Sequence, residues 1–116
     1  MSDIKDLGAD KLKEVVNYFG KILPFVEKAG YKINEFQIVL ALPPAFITNF
    51  VKTKDVFEKA ITKIIEDNSD KKLLKIILKS LMKANQFQGQ IKIEKMKFTE
   101  VILELTVPPK VVVKFS

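Results

Sequence analysis

The sequence predicts an α+β domain: an antiparallel β-sheet of four or five strands with two to three helices packed on one face, built from a duplicated helix–strand–strand unit. Three observations carry this. Apolar residues recur at helical spacing in three separate stretches. Between them stand β-prone runs joined by short connections. The run Phe36 to Pro44 also reappears near the end of the chain as Val101 to Pro109, each copy an apolar ribbon that stops at a double proline.

Sliding the chain by 65 positions lays Tyr31 to Phe50 on Met96 to Phe115 and makes 6 of the 20 positions identical. They are Lys32/Lys97, Glu35/Glu100, Leu40/Leu105, Pro43/Pro108, Pro44/Pro109 and Phe50/Phe115. Most remaining positions pair apolar with apolar. The repeat spans about 10–50 and about 70–115 of a single domain that covers residues 1–116. With two copies, a closed pseudo-symmetric domain is expected rather than a solenoid.

The first helix starts at a cap near Asp10 and runs to about Ala29, where Gly30 stops it. Leu12, Val15, Val16, Phe19, Ile22, Leu23 and Val26 form its inward stripe, and Pro24 is expected to kink or split it near Gly20. Tyr31 to Leu42 reads as the first strand. Its alternation slips at Asn34-Glu35, and the second copy slips at the matching Thr99-Glu100, so a bulge is expected in both. Proline cannot adopt the positive φ of a tight hairpin turn, so each Pro-Pro is expected to be a wider corner, a stiff extended bridge or a type VI turn with a cis bond.

Ala45 to Phe50 is the second strand by analogy with Val111 to Phe115, although on its own it could equally start a helix. Thr53 or Asp55 caps a second helix whose apolar face is Val56, Phe57, Ala60, Ile61, Ile64 and Ile65. After a break at residues 67–70, a third helix reaches about Asn85 with Leu73, Leu74, Ile77, Leu78 and Leu81 inward. Gln86 to Gln90 reads as a loop, Ile91 to Val107 as an interrupted strand, and Val111 to Phe115 as the last strand. The expected core face of the strands is Phe36, Ile38, Leu40, Leu42, Val101, Leu103, Leu105 and Val107. The opposite face, with Gln37, Val39, Ala41, Ile102, Glu104 and Thr106, is mixed rather than polar.

Composition narrows function. The chain has no histidine, cysteine or tryptophan, and all 20 basic residues are lysine. The commonest general acid/base and metal ligand, the readiest nucleophile and the bidentate anion fork are therefore all missing. No enzyme activity, cofactor or metal is expected. No stretch is apolar enough to span a bilayer, and the polar, acidic start Met1-Ser2-Asp3-Ile4-Lys5-Asp6 is unlike a signal peptide, so a cytoplasmic location is the expectation. Of the net charge of +6, the half from Lys54 onward holds +5, with 13 lysines against eight acids.

Four of those lysines, Lys72, Lys75, Lys79 and Lys83, share one side of the third helix with no acid among them. They are the candidate contact for an anionic surface, membrane or nucleic acid. A solvated face that keeps an apolar helix in water is the plainer reading, and the lack of arginine counts against nucleic acid. Glu35 and Glu100 are expected to bond backbone N–H groups freed at the bulges. The nine phenylalanines are expected mainly in the core, with an apolar ligand such as an acyl chain between helices and sheet as an alternative. The leading expectation is a non-enzymatic binding or assembly domain whose partner is a second copy or another protein.

Overall fold

The computed structural model describes residues 9–41, 44–106 and 108–116. Its order is α1 (Ala9–Lys28), β1 (Tyr31–Val39), β2 (Ala45–Lys52), α2 (Glu58–Asp67), α3 (Lys72–Gln90), β3 (Phe98–Glu104) and β4 (Lys110–Phe115). The four strands form one antiparallel sheet in the order β1-β2-β3-β4, and the helices lie on one of its faces.

Helix α1 runs unbroken through Pro24. The proline ring crowds the carbonyl of Gly20, four residues earlier, and that glycine stands in open space where the backbone can adjust. Phe19, Ile22 and Val26 are its buried face. The helix stops at Gly30, whose φ is +93° and whose carbonyl accepts from the Thr53 N–H at 2.7 Å. A Cβ there would lie 2.4 Å from the Lys54 carbonyl oxygen, so only glycine fits where the chain crosses from helix to sheet.

The two hairpins repeat one another in detail. β1 pairs with β2 as Phe36↔Thr48, Gln37↔Ile47 and Ile38↔Phe46, with a bulge between Ile33 and Glu35. β3 pairs with β4 as Val101↔Val113, Ile102↔Val112 and Leu103↔Val111, with a bulge between Phe98 and Glu100. Each residue of the second set is the first shifted by the 65 positions of the sequence repeat, bulges included. The modules succeed one another along the sheet, because the order β1-β2-β3-β4 maps β1 onto β3 and β2 onto β4. The expected closed arrangement is therefore corrected to an open sheet whose edges, β1 and β4, each have one strand partner among the described residues.

One core lies between this sheet and the helices. Phe50, Val101 and Leu103 from the sheet are fully buried against Ile22 and Val26 of α1 and Leu74, Ile77, Leu78 and Leu81 of α3. Removing each such side chain from water contributes about 1.5–3 kcal/mol. Ile61 and Ile65 bury the inner face of α2.

Several boundaries depart from the sequence reading. β1 ends at Val39, and Leu40, expected in the core, is 58% exposed. Leu42, Pro43 and Val107 lie outside the described residues. α2 begins at Glu58 without a side-chain cap, leaving Phe57 88% exposed instead of on an apolar face, and Ala60 is exposed as well. α3 continues to Gln90 because its last turns are held from outside: Gln86 Nε2 donates to Glu58 Oε1 at 2.5 Å, and Ala84 and Phe87 lie beside Val111 and Val113. Residues 91–97 are not strand, since a turn closed by Met96 N–H to Ile93 O at 3.1 Å holds Lys95 at φ 65°. β3 therefore begins at Phe98.

Candidate functional site

Three surfaces stand out. The first is the sheet face turned away from the helices, together with the two edges. Ile47 and Ile102 are half-buried there, and Val39 and Val112 are exposed. Charged and amide groups interrupt these apolar side chains. Glu100 is largely enclosed, its side chain only 12% exposed. It accepts from Asn49 Nδ2 at 3.2 Å and from Asn34 Nδ2, on the β1 bulge, at 3.4 Å. Lys114 Nζ lies 3.5 Å from it, and Glu104 pairs with Lys110 at 3.5 Å.

The bulge thus serves a purpose the sequence reading missed. The extra residue turns the Asn34 amide across β2 toward a carboxylate on β3. The Glu100 carboxylate bonds side-chain amides rather than the freed backbone N–H groups expected of it. Its counterpart Glu35, on the edge strand, is exposed and accepts from Gln37 Nε2. The shared lysine-and-glutamate spacing pointed to both glutamates, but the asparagines that reach Glu100 come from other strands and left no local signal.

The second surface is an open cleft of about 800 Å³ between α1 and the start of α3. Val15, Tyr18, Leu73, Phe46 and Leu105 line it, and Lys21, Asp70 and Lys72 stand at its rim. It forms because the helix layer parts over the Phe46 end of the sheet. Directly beside it Phe36 stays covered, its ring stacked 6.1 Å from that of Phe46 and 4.7 Å from that of Phe19 on α1.

The third surface is the lysine face. Lys72, Lys75, Lys79 and Lys83 are all exposed on the side of α3 opposite its buried residues, and none is in an ion pair among the described residues. Lys71, one residue before the helix, is by contrast held 3.6 Å from Asp70 and 5.6 Å over the Phe25 ring. The structure brings the four together as the spacing predicts. Lys72 alone of them also borders the cleft.

Tyr31 and Asp55 have displaced pKa values. Burial, aided by the negative charge of Asp55, pushes the Tyr31 phenol up to about 12. The Lys52 ammonium, 2.5 Å away, hydrogen-bonds Asp55 and holds its carboxyl below the usual range. Both groups belong to the crossing around Gly30 and Lys54 rather than to any of the three surfaces.

Among the described residues no three potential metal ligands cluster, and no helix is long and apolar enough to cross a membrane. Comparison with protein-family models, curated proteins and solved structures finds no match to this chain.

Proposed function

We propose that this chain is a non-enzymatic binding and assembly domain that associates with further copies of itself through its sheet. The observation that carries the reading is the pair of open edges. Among the described residues β1 and β4 each present a row of backbone N–H and C=O groups without a strand opposite, and apolar side chains stand exposed along both. Such edges are templates for another strand, and main-chain bonds across them supply affinity without a deep pocket. Sedimentation velocity at micromolar concentration tests it. A dimer or larger species is expected, and a strictly monomeric chain overturns it.

The cleft favours a second reading, carriage of an apolar ligand such as an acyl chain. Its walls are mainly apolar, and the charged groups lining it, Lys21 and Lys72 with Glu14 and Asp70, balance one another, which suits the apolar chain of such a ligand rather than selecting its head group. Native mass spectrometry of freshly purified protein is expected to show added mass under this reading, and repeated absence of any counts against it. The unpaired lysine face of α3 supports contact with an anionic surface as a third role.

A further inference from the structure

The repeat says more than that the edges are open, because it specifies how they would meet. β2 already pairs with β3 inside the chain, as Ile47↔Glu104, Thr48↔Leu103, Asn49↔Ile102 and Phe50↔Val101. β4 is the repeat of β2, and β1 is the repeat of β3, each shifted by 65 positions. The β4 edge of one molecule and the β1 edge of another are therefore copies of two edges that are joined within every molecule.

We infer that β4 of one copy pairs antiparallel with β1 of a second copy, in the register that β2 and β3 use within the chain. This rests on the self-association reading and gives it a geometry. Carrying the internal register forward sets Val112 opposite Val39 of the second copy, Val113 opposite its Ile38, Lys114 opposite its Gln37 and Phe115 opposite its Phe36. Ile38, Val39 and Val112 are 39%, 40% and 43% exposed in the single chain. This register brings all three against another apolar side chain at once. Three of the ten large apolar side chains exposed among the described residues of the lone molecule are thus paired by it.

Charge agrees. Inside the chain Asn49 reaches diagonally to Glu100 at 3.2 Å. The counterparts of that pair across the junction are Lys114 and Glu35 of the second copy, a cation facing an exposed carboxylate. Two β4 edges paired antiparallel about Val112 would instead set Lys110 against Lys114, a like-charge opposition that destabilises cross-strand pairs. The lysines of β4 thus disfavour that register of β4–β4 pairing and suit the β4–β1 one. Since donor and acceptor edges differ, the contact is head-to-tail, so copies either close into a ring or extend as a fibre.

The chain has no cysteine, so paired thiols can be introduced without competitors. Leu105 N–H donates to Phe46 O at 2.8 Å, which makes Phe46/Leu105 a hydrogen-bonded pair and the adjacent Ile47/Glu104 a non-hydrogen-bonded one. Val112 and Val39 of the second copy inherit the latter geometry, with Cα atoms about 4.5 Å apart, within disulfide range. In one molecule these residues sit on opposite edges, three strand spacings or roughly 14 Å apart, beyond such reach.

The Val39→Cys/Val112→Cys variant, oxidised with copper–phenanthroline, is expected to run as a covalent dimer or ladder on a non-reducing gel. Val39→Cys/Lys110→Cys, two residues out of register, is expected to stay monomeric there. Gln37→Cys/Lys114→Cys, the next non-hydrogen-bonded pair, is expected to link too, and serves if the valine variant loses its fold by circular dichroism. An oligomer in sedimentation that links in neither matched variant, or that links equally well through Val39→Cys alone, overturns this pairing while leaving self-association standing. A monomer overturns both.

Discussion

Thr48 and Leu103 face each other across the β2–β3 pair at the centre of the covered side of the sheet, both fully buried. The Thr48 hydroxyl has no hydrogen-bond partner among the described residues. A desolvated, unbonded hydroxyl costs free energy, and an apolar group of the same shape does not. The second module already carries the alternative, since the residue 65 positions on is Val113. Thr48→Val is predicted to stabilise the fold by about 1 kcal/mol. Urea denaturation reads this as a higher midpoint with an unchanged slope.

Gly30→Ala is predicted to destabilise by about 2 kcal/mol or more. It combines a left-handed backbone with a Cβ that would meet the Lys54 carbonyl, which is main chain and cannot swing aside. Gly20→Ala makes the control, since Gly20 sits within a helix in open space. The helical preference of alanine predicts a gain of about 0.5–1 kcal/mol there, so the two glycines separate by sign in the same assay.

Tyr31 supplies a pH prediction. Its phenol ionises near 12 in the folded chain rather than at the ordinary 10. Below pH 10 both folded and unfolded chains keep the proton, and stability is unaffected. Between about 10 and 12 only the unfolded chain loses it, so stability falls across that window, by up to about 3 kcal/mol. Absorbance titration of a Tyr18→Phe variant, which leaves one phenol, is expected to give a midpoint near 12. Urea midpoints at pH 9 and pH 11 check the linked loss.

The lysine face is predicted to govern adhesion to anionic surfaces without supporting the fold. Replacing Lys72, Lys75, Lys79 and Lys83 with Gln takes the net charge from +6 to +2. Elution from a sulfonate cation exchanger is expected at distinctly lower salt. Stability is expected to stay within about 0.5 kcal/mol, because all four are exposed and none is in an ion pair among the described residues.

Truncating the core at Leu103 is predicted to cost about 2–5 kcal/mol as Leu103→Ala, since this side chain is fully buried beneath the helix layer. The same change at Leu40, at the matching repeat position of Leu105 but 58% exposed, is expected to cost less than about 0.5 kcal/mol. Thermal or urea denaturation of both variants gives the contrast.

That contrast also shows where local pattern stops being informative. Alternation assigned Ile38 and Leu40 to the same side as Phe36, and Ile38 does point there, opposite Phe46. Alternation does not say where the helix layer ends. Phe36 lies under Phe19 of α1, whereas Ile38 is left 39% exposed in a groove beside Leu12 and Val16 of the same helix, and Leu40, past the end of β1, is 58% exposed. The bulges were legible, because a phase slip at Asn34-Glu35 and Thr99-Glu100 is written in the order of residues. The lysine stripe was legible for the same reason. The Asn34–Glu100–Asn49 contact and the continuation of α3 through Gln86 depend on groups from other elements, which no local window contains.

The step from one hairpin to the next has an engineering corollary. Modules related by displacement along a sheet, and not by a half-turn about its centre, leave the outermost strand equivalent to an inner one. A gene carrying a third helix–hairpin segment after Phe115 would need no newly invented seam: the added ribbon would lie against β4 as β3 lies against β2.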